Sequence, residues 1–594
     1  MHKIIFLLLI FSAISVNSQN DLLAKNYFEQ GEYEKALVIY TKLHDKYSSR
    51  FDFFSDLVAT HQQLENFKEA ETMLMDRINS RMLIPQLYVE LGFNYSLQDK
   101  DSLASLNYNK AIELLETKIH HAANIGAAFE KYSLLDQAVE IYETSMEINP
   151  ERDFNYQLAR LYGEQGNIEK MFSKYLDLIN SNNAYRSIAQ RNFSLYVTED
   201  PLNEANILLR KVLLQKLQKQ PNVLYNELLS WLFIQQQDFK KAFSQEKAIY
   251  RRMGDGDMSG IIDVAFIAIA EEDYENATEI VTFLIDNAMT PEAKIEGYQH
   301  LMMIRLETST KKDYSKIEKQ YEDLLDEYGT EKETYKLQID YNNFLAFYVG
   351  KKEEAISNLK DLSKKSLSRF QEARVKMQLA DILVFDEKFN QALIYYSQIQ
   401  NKVKGDILAQ EARFKVAKTS YYKGDFPWAQ IQLDVLKKSA SQLIANDAMQ
   451  LSLMISDNSV EDSTQTALKL YARADLLTLQ KRESEAISIL NEILENHKGE
   501  TIEDEALLKI GELYELKYEY EKAEKTYLKL IQFYSDDILA DDAYYKLAKL
   551  YETTLGQPEK AKEYYEQIIF NFEDSIYFIE ARKKYRILRG DAIE

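Results

Sequence analysis

The stretch EYEKAEKTYLKLIQFY, residues 519–534, decides the fold. Its apolar positions, Tyr520, Ala523, Tyr527, Leu530 and Tyr534, recur at three- and four-residue steps, which is the period of one helix face. The same cadence returns as EYEKALVIYTKL at 32–43 and as PEKAKEYYEQI at 558–568, at opposite ends of the chain. Aligned on the alanine of each phrase, the chain reads Ala36, Ala70, Ala104 and Ala138, then Met171, Ala205, Ala242 and Ala277. Two further runs follow, Ala355, Ala392 and Ala429, then Ala486, Ala523 and Ala561, with steps of 33–38 inside every run. A period of this length marks an array of one supersecondary unit.

Each unit reads as two helices. Ahead of the quoted stretch, Ala506, Leu507, Ile510, Leu513 and Tyr514 form a first helical face, and LKYEYE (516–521) is the link. Twelve residues before the repeat alanine stands another small residue. It is Gly92, Gly126 or Gly511 before Ala104, Ala138 and Ala523, and Ala24, Ala265, Ala380, Ala417 or Ala474 before Ala36, Ala277, Ala392, Ala429 and Ala486. Antiparallel helices joined by a short turn approach closely only where neither carries bulk, and a larger side chain there overpacks the crossing at about 1–3 kcal/mol. Ala36, Ala70, Gly92, Ala104, Gly126, Ala138, Ala392, Ala486, Gly511, Ala523 and Ala561 are therefore expected to form the packing seam. A tyrosine or leucine follows four residues on, as Tyr40, Leu74, Tyr108, Tyr142, Tyr175, Tyr396, Tyr527 and Tyr565. It is expected to wedge against the next unit while a tyrosine hydroxyl reaches a polar partner. The fold class is all-α, an α-solenoid of antiparallel helix pairs.

These residues resemble the tetratricopeptide repeat (TPR) family. The best match is the third unit, QLYVELGFNYSLQDKDSLASLNYNKAIEL at 86–114, with Tyr88, Leu91-Gly92, Tyr95, Ala104, Tyr108 and Ala111 at the family's spacing. The fourth unit adds the closing proline, Pro150, and the resemblance covers nearly all of 20–590. The last units, FYSDDILADDAYYKLAKLYE (533–552) and NFEDSIYFIEARKKYRIL (571–588), resemble the longer repeats of YbgF- and BamD-type cell-envelope TPR proteins. The lipid-accepting cysteine of the latter is missing, so its anchoring and role are not carried over. The resemblance implies a superhelix whose concave groove is lined by the first helix of each pair and binds protein segments.

Composition narrows the partners. The chain has 594 residues, too many for one ordinary core, and 17 Gly and 7 Pro are too few for a turn-rich β architecture. A formal charge of −23 with no basic stripe repels phosphate backbones and anionic headgroups, so nucleic acid is not an expected partner. Acid also keeps a long helical surface soluble. Chemistry is not in evidence. His120 and His121 are adjacent, so on a helix they diverge by about 100° and cannot share a metal. Asp255-Gly256-Asp257 lacks the other ligands of a calcium loop. Asp536, Asp537, Asp541 and Asp542 stand at a helix start, where acid complements the dipole. No phosphate loop, nucleophile elbow or Cys/His cluster is present. No catalytic, cofactor-binding or metal site is expected, and the protein is read as a non-enzyme.

MHKIIFLLLIFSAISVNSQN, residues 1–20, has the layout of a secretory signal peptide, with cleavage expected near Ser18/Gln19. No other apolar run reaches membrane length. The mature chain is expected in the periplasm or associated with the outer membrane, at most peripheral to a membrane complex and without an integral span. With no cysteine, packing alone must hold it. The expected domains are 1–18, the signal peptide; 19–252, an N-terminal TPR superhelix; 258–460, degenerate helical repeats; and 466–594, a C-terminal superhelix. RRMGDGDMSG (251–260) suggests the first boundary, and the unit around Ile317 is degenerate. An extra helix, IANDAMQLSLMI (444–455), and a polar linker, SDNSVEDSTQT (456–466), suggest a break near residue 460. SIYFIEARKKYRIL (575–588), with Arg582, Lys583, Lys584 and Arg586, is the expected capping helix.

Residues flanking the small position of each first helix are the candidates for the groove: Asp21, Lys25, Gln62, Phe93 and Ser96, then Asp381, Lys418, Tyr421, Tyr422, Asp475, Glu512 and Glu515. The Lys/Asn/Arg set by which some family members clamp an acidic tail is absent from this line. Acids and aromatics stand there instead, which suits an extended or helical segment that is basic or neutral. Two function classes follow. One is a scaffold of the bacterial cell envelope that binds other envelope proteins. The other is a periplasmic binding protein for a non-protein ligand such as glycan or peptidoglycan. Only two tryptophans, Trp231 and Trp428, are available to stack on sugars.

Overall fold

The computed structural model describes residues 20–80, 84–439, 441–459 and 464–591. The expected signal peptide and its expected cleavage point, and the centre of the break expected near residue 460, lie outside these residues. Among the described residues the chain is helical, with no strand. It forms two compact units divided between Glu271 and Glu272, each a solenoid of antiparallel helix pairs. In the first unit Gln86–Ser96 pairs with Asp101–Glu113, Ala122–Lys131 with Leu135–Ile148, and Val223–Gln235 with Phe239–Met253. In the second, Arg369–Phe385 pairs with Phe389–Lys402, Thr466–Leu479 with Glu483–Asn496, and Glu503–Leu516 with Tyr520–Phe533.

The seam is where the sequence puts it. Ala36, Ala70, Ala138, Ala242, Ala277, Ala355, Ala392, Ala429, Ala486, Ala523 and Ala561 have no exposed surface, and Ala104 and Met171 have 3%. The tyrosine has a second role beside the expected one. A Cβ added at Gly511 would stand 2.7 Å from two atoms of the Tyr527 ring, and at Gly92 and Gly126 it would overlap the rings of Tyr108 and Tyr142. The ring thus fills the space left by the glycine of its own pair and also packs on the next repeat, where the Tyr108 ring lies 5.8 Å from that of Phe129 and the Tyr142 ring 4.8 Å from that of Phe154. The glycine is small for the ring's sake.

A second regularity escaped the sequence reading. Five residues before the repeat alanine the backbone turns left-handed in nearly every unit. Gly31, Gly166, Gly350, Gly424 and Gly556 take this position with φ of +61° to +85°. Glu65, Asp99, Ser133, Gln237, Glu272, Glu387, Lys481 and Tyr518 take it with φ of +54° to +60°. The residue ends the first helix and starts the second, and outside glycine it costs about 1–2 kcal/mol. Tyr518 is 78% exposed, so its side chain packs little in return. Tyr518→Gly is expected to stabilise the second unit by up to about 1 kcal/mol, read as a rise in denaturant midpoint.

Two units depart from the pattern. Ala205 is half-buried rather than sealed, and Asn206 is the residue with no exposed surface. Asn206 Nδ2 donates to Thr198 O at 2.8 Å and Asp200 O at 2.7 Å. A side-chain amide fixes this turn, which has no left-handed residue, and so the register moves by one. In the degenerate unit Ile317 and Tyr321, both buried, occupy the alanine and tyrosine places. There Asp313 accepts from Thr310 N at 2.9 Å, a capping box in place of the left-handed residue.

The extra helix is Gln442–Asp457, and it shares one core with residues on both sides of the linker, from Ala417 and Leu433 to Tyr471 and Ile510. Thr466–Leu479 packs on Ile407–Tyr422, and Leu476 also enters the core built by residues 295–416. The capping helix spans Phe578–Arg589.

Candidate partner-binding surface

The candidate surface is the line of first helices, and in the second unit its charges are paired from one repeat to the next. Lys415 Nζ donates to Asp381 at 2.8 and 2.9 Å. Lys509 stands 3.4 Å from Asp475, Lys546 3.0 Å from Glu512 and Lys584 2.9 Å from Glu552. Each lysine belongs to the first helix that follows its acid's, or to the capping helix. From the other side comes the repeat tyrosine: Tyr396 Oη donates to Asp381 at 2.6 Å, Tyr565 Oη to Glu552 at 2.7 Å, and Tyr527 Oη to Glu515. The first unit does the same with Glu130, which accepts from Tyr142 Oη at 2.7 Å and from the Arg160 guanidinium. Tyr142 and Tyr527 reach an acid twelve residues back, whereas Tyr565 reaches one residue further. The difference follows from a π turn at Leu550–Thr554, which adds one residue to the first helix.

This arrangement changes the meaning of the acids. Asp381, Asp475 and Glu512 are each a partner in a half-buried pair within the chain, and Glu515 holds a tyrosine. They bridge successive repeats and are not a bare anionic track.

Other candidates are dispersed. In the first unit Phe93 stacks on Tyr132 with ring centroids 3.7 Å apart, and Ser96 faces the Tyr108 hydroxyl. Asp21 is half-buried, and Lys25 is exposed beside Glu29 at 4.0 Å. Two candidates are not on the surface at all. Gln62 is 3% exposed, and Tyr421 is 1% exposed against the rings of Phe426 and Tyr422. Both lie on the inward face of their helices, a turn of the helix that counting from the small residue did not separate from the outer face.

Asp381, Lys418 and Tyr422 do come together. With Phe347, Lys415 and Leu479 they line a cleft of about 230 Å³ in the second unit. Residues far apart in sequence build it. Gln480 Nε2 donates to Phe385 O at 2.9 Å and Glu387 Oε1 at 3.1 Å, Arg473 pairs with Glu387 at 2.7 Å, and Lys481 Nζ stands 4.4 Å over the Tyr348 ring. Burial pushes the Tyr396 and Tyr422 hydroxyls up, with the charges of Asp381 and Asp475 respectively adding to it, so both remain protonated donors. The cleft is the size of a side chain, below the volume usual for a free small ligand. It offers an aromatic and aliphatic wall, two ammonium groups and one carboxylate.

Residues 22–49, 505–537 and 542–575 match the tetratricopeptide repeat family. The chain carries tetratricopeptide repeats. The matches fall on the first pair and on the last two complete pairs of the array. No curated protein matches the chain in sequence. Among solved structures, Naa15/Naa10 bound to HypK-THB is 13% identical, with 97% of this chain and 96% of that chain covered and a TM-score of 0.26. The APC/C hetero-tetramer Cut9-Hcn1 is 14% identical, with 98% of each chain covered and a TM-score of 0.25. The P58(IPK) TPR domain is 12% identical, with 70% of this chain and 98% of that chain covered and a TM-score of 0.18. Likeness this slight says nothing of the TPR array's partners.

Proposed function

We propose that this TPR protein is a non-enzymatic interaction scaffold of the bacterial cell envelope, exported, which docks segments of partner proteins on the first-helix line of its repeats. The cleft at Asp381, Lys418 and Tyr422 carries the reading. It is side-chain-sized, it lies on the face that family resemblance assigns to partner segments, and it mixes apolar walls with hydrogen-bonding groups that fix an orientation. The N-terminal apolar run supports export. Among the described residues no helix is long and apolar enough to cross a membrane.

The test is crosslinking in cells that express the tagged chain with its own N-terminus, followed by affinity capture and fractionation. Envelope proteins recovered at constant stoichiometry, with the tagged chain in the periplasmic fraction, are the expected result. Tyr422→Ala removes the aromatic wall at a half-buried position and is expected to weaken capture about tenfold, whereas Tyr422→Phe, which keeps the ring, is expected to retain it. Retention on peptidoglycan or polysaccharide with no protein captured would overturn the reading in favour of a glycan-binding protein.

A further inference from the structure

The glycine-rich turn at 254–258 and Trp231 have no part in that reading, yet they belong to one cavity of about 400 Å³ in the first unit. Trp231 and Ile234 come from Val223–Gln235, Tyr250 and Met253 from Phe239–Met253, and Ile261 and Val264 from Ser259–Ala270. Gly254 and Gly256, with φ of +67° and +82°, carry the turn that separates the second of these helices from the third. The volume is that of a ligand site, and these six side chains give it an aromatic and aliphatic wall.

The polar part of the lining is rich in acid. Glu227, Glu246, Asp255, Asp257 and Asp263 line the cavity, against one cation, Arg186, which already pairs with Glu227. Asp255 and Asp257 are spent on the turn: Asp255 accepts from Asp257 N at 3.0 Å, and Asp257 from Ser259 N at 2.9 Å. Glu246 and Asp263 remain, and among the described residues neither has an ion-pair partner. Burial pushes the Glu246 carboxyl up, and the charges of Glu227 and Asp263 add to it, outweighing the Ser230 hydroxyl and Arg186, which act the other way. Ser230 points the same way. It is 1% exposed and lines the cavity, with its hydroxyl turned to Glu246. A desolvated carboxylate at a cavity wall with no ion-pair partner is a group that a ligand cation would satisfy.

A metal ion does not fit. Among the described residues no three acid or histidine side chains stand close enough to share one. The carboxylates are spread along a wall that is otherwise an indole and aliphatic carbon, which suits a cation with an alkyl stem. We propose that the cavity receives a lysine or arginine side chain of a partner polypeptide, its stem against Trp231 and its charge between Glu246 and Asp263. This site is separate from the second-unit cleft, and either can fail without the other.

The test uses the full chain carrying Trp428→Phe, so that Trp231 is the one remaining tryptophan, and titrates its fluorescence at constant ionic strength. The probes are acetyl-Gly-Lys-Gly-amide, its arginine counterpart, an isosteric norleucine peptide and cadaverine. Saturable change with the lysine or arginine peptide is expected, with none from norleucine. Glu246→Gln and, independently, Asp263→Asn are each expected to weaken binding about tenfold while the thermal melt is kept. Equal response to norleucine, or wild-type titrations in both variants, would overturn the proposal. Saturation by cadaverine without the peptides would also overturn it, by placing a free diamine there.

Discussion

Glu505→Gln is expected to make the second unit more stable at pH 8.5 and to leave it nearly unchanged at pH 5. Glu505 opens the first helix of the pair Glu503–Leu516/Tyr520–Phe533, between Asp504 and Asn458. Asn458 Nδ2 donates to its Oε1 at 2.9 Å, while its buried Oε2 faces the Asp504 carboxylate and has no donor. Burial, then the Asp504 charge, pushes the Glu505 carboxyl up to about 9. A helix start favours negative charge by less than about 1 kcal/mol when exposed, so desolvation wins here. The sign follows from linkage. In the unfolded chain Glu505 titrates near 4.3, so between there and about 9 the folded state holds the extra proton. Stability is greatest below the unfolded value and falls as pH rises across that window. Glutamine keeps the shape: its carbonyl accepts from Asn458 and its amide donates to Asp504, with nothing to titrate. A gain of about 1–3 kcal/mol at pH 8.5 is expected, the usual size for relieving an uncompensated buried polar group. Denaturant midpoints at pH 5, 7 and 8.5 check it, and parallel pH profiles for the two proteins would refute it.

Gly511→Ala should act in the opposite direction and at every pH. Alanine in a helix interior is normally favoured over glycine by about 1 kcal/mol. Here the new methyl meets the ring of Tyr527, a side chain with no exposed surface whose hydroxyl is held by Glu515. The ring cannot swing away without losing that bond and disturbing Ala523 and Tyr551 in the same cluster. Overpacking at the upper end of its usual range, about 3 kcal/mol, outweighs the propensity gain and leaves a net cost of about 2 kcal/mol. Tyr527→Leu in the same chain removes the ring and should return part of the loss, which a double-mutant cycle on denaturant midpoints would show as coupling between the two positions. Additive effects would mean that the glycine is there for another reason.

Some of this was legible in the amino-acid sequence for a physical reason. A helix repeats every 3.6 residues, and two helices touch only where both are small, so period, pairing and seam are local consequences of residue type. The helix that fills the long step between Ala429 and Ala486 was legible in the same way. The left-handed turn position could have been found from Gly31, Gly166, Gly350, Gly424 and Gly556, but charged and aromatic residues hide it in the other units. The candidate site was less legible. Counting from the small residue marks a helix face only to within about one side chain, which is why Gln62 and Tyr421 proved buried beside candidates that are not.

By itself the sequence determined the class of the fold, the positions of its seam alanines and glycines, and the overall negative charge. Only the tertiary structure decided which acids of the first-helix line are spoken for. Asp381, Asp475 and Glu512 find their lysines one repeat away, and whether such groups meet depends on the stagger between stacked pairs. It also decided that Tyr527 fills the space left by Gly511 as well as packing on the next repeat, and that Asn206 in place of Ala205 is sealed. Each of these depends on the distance between groups that no local periodicity brings together.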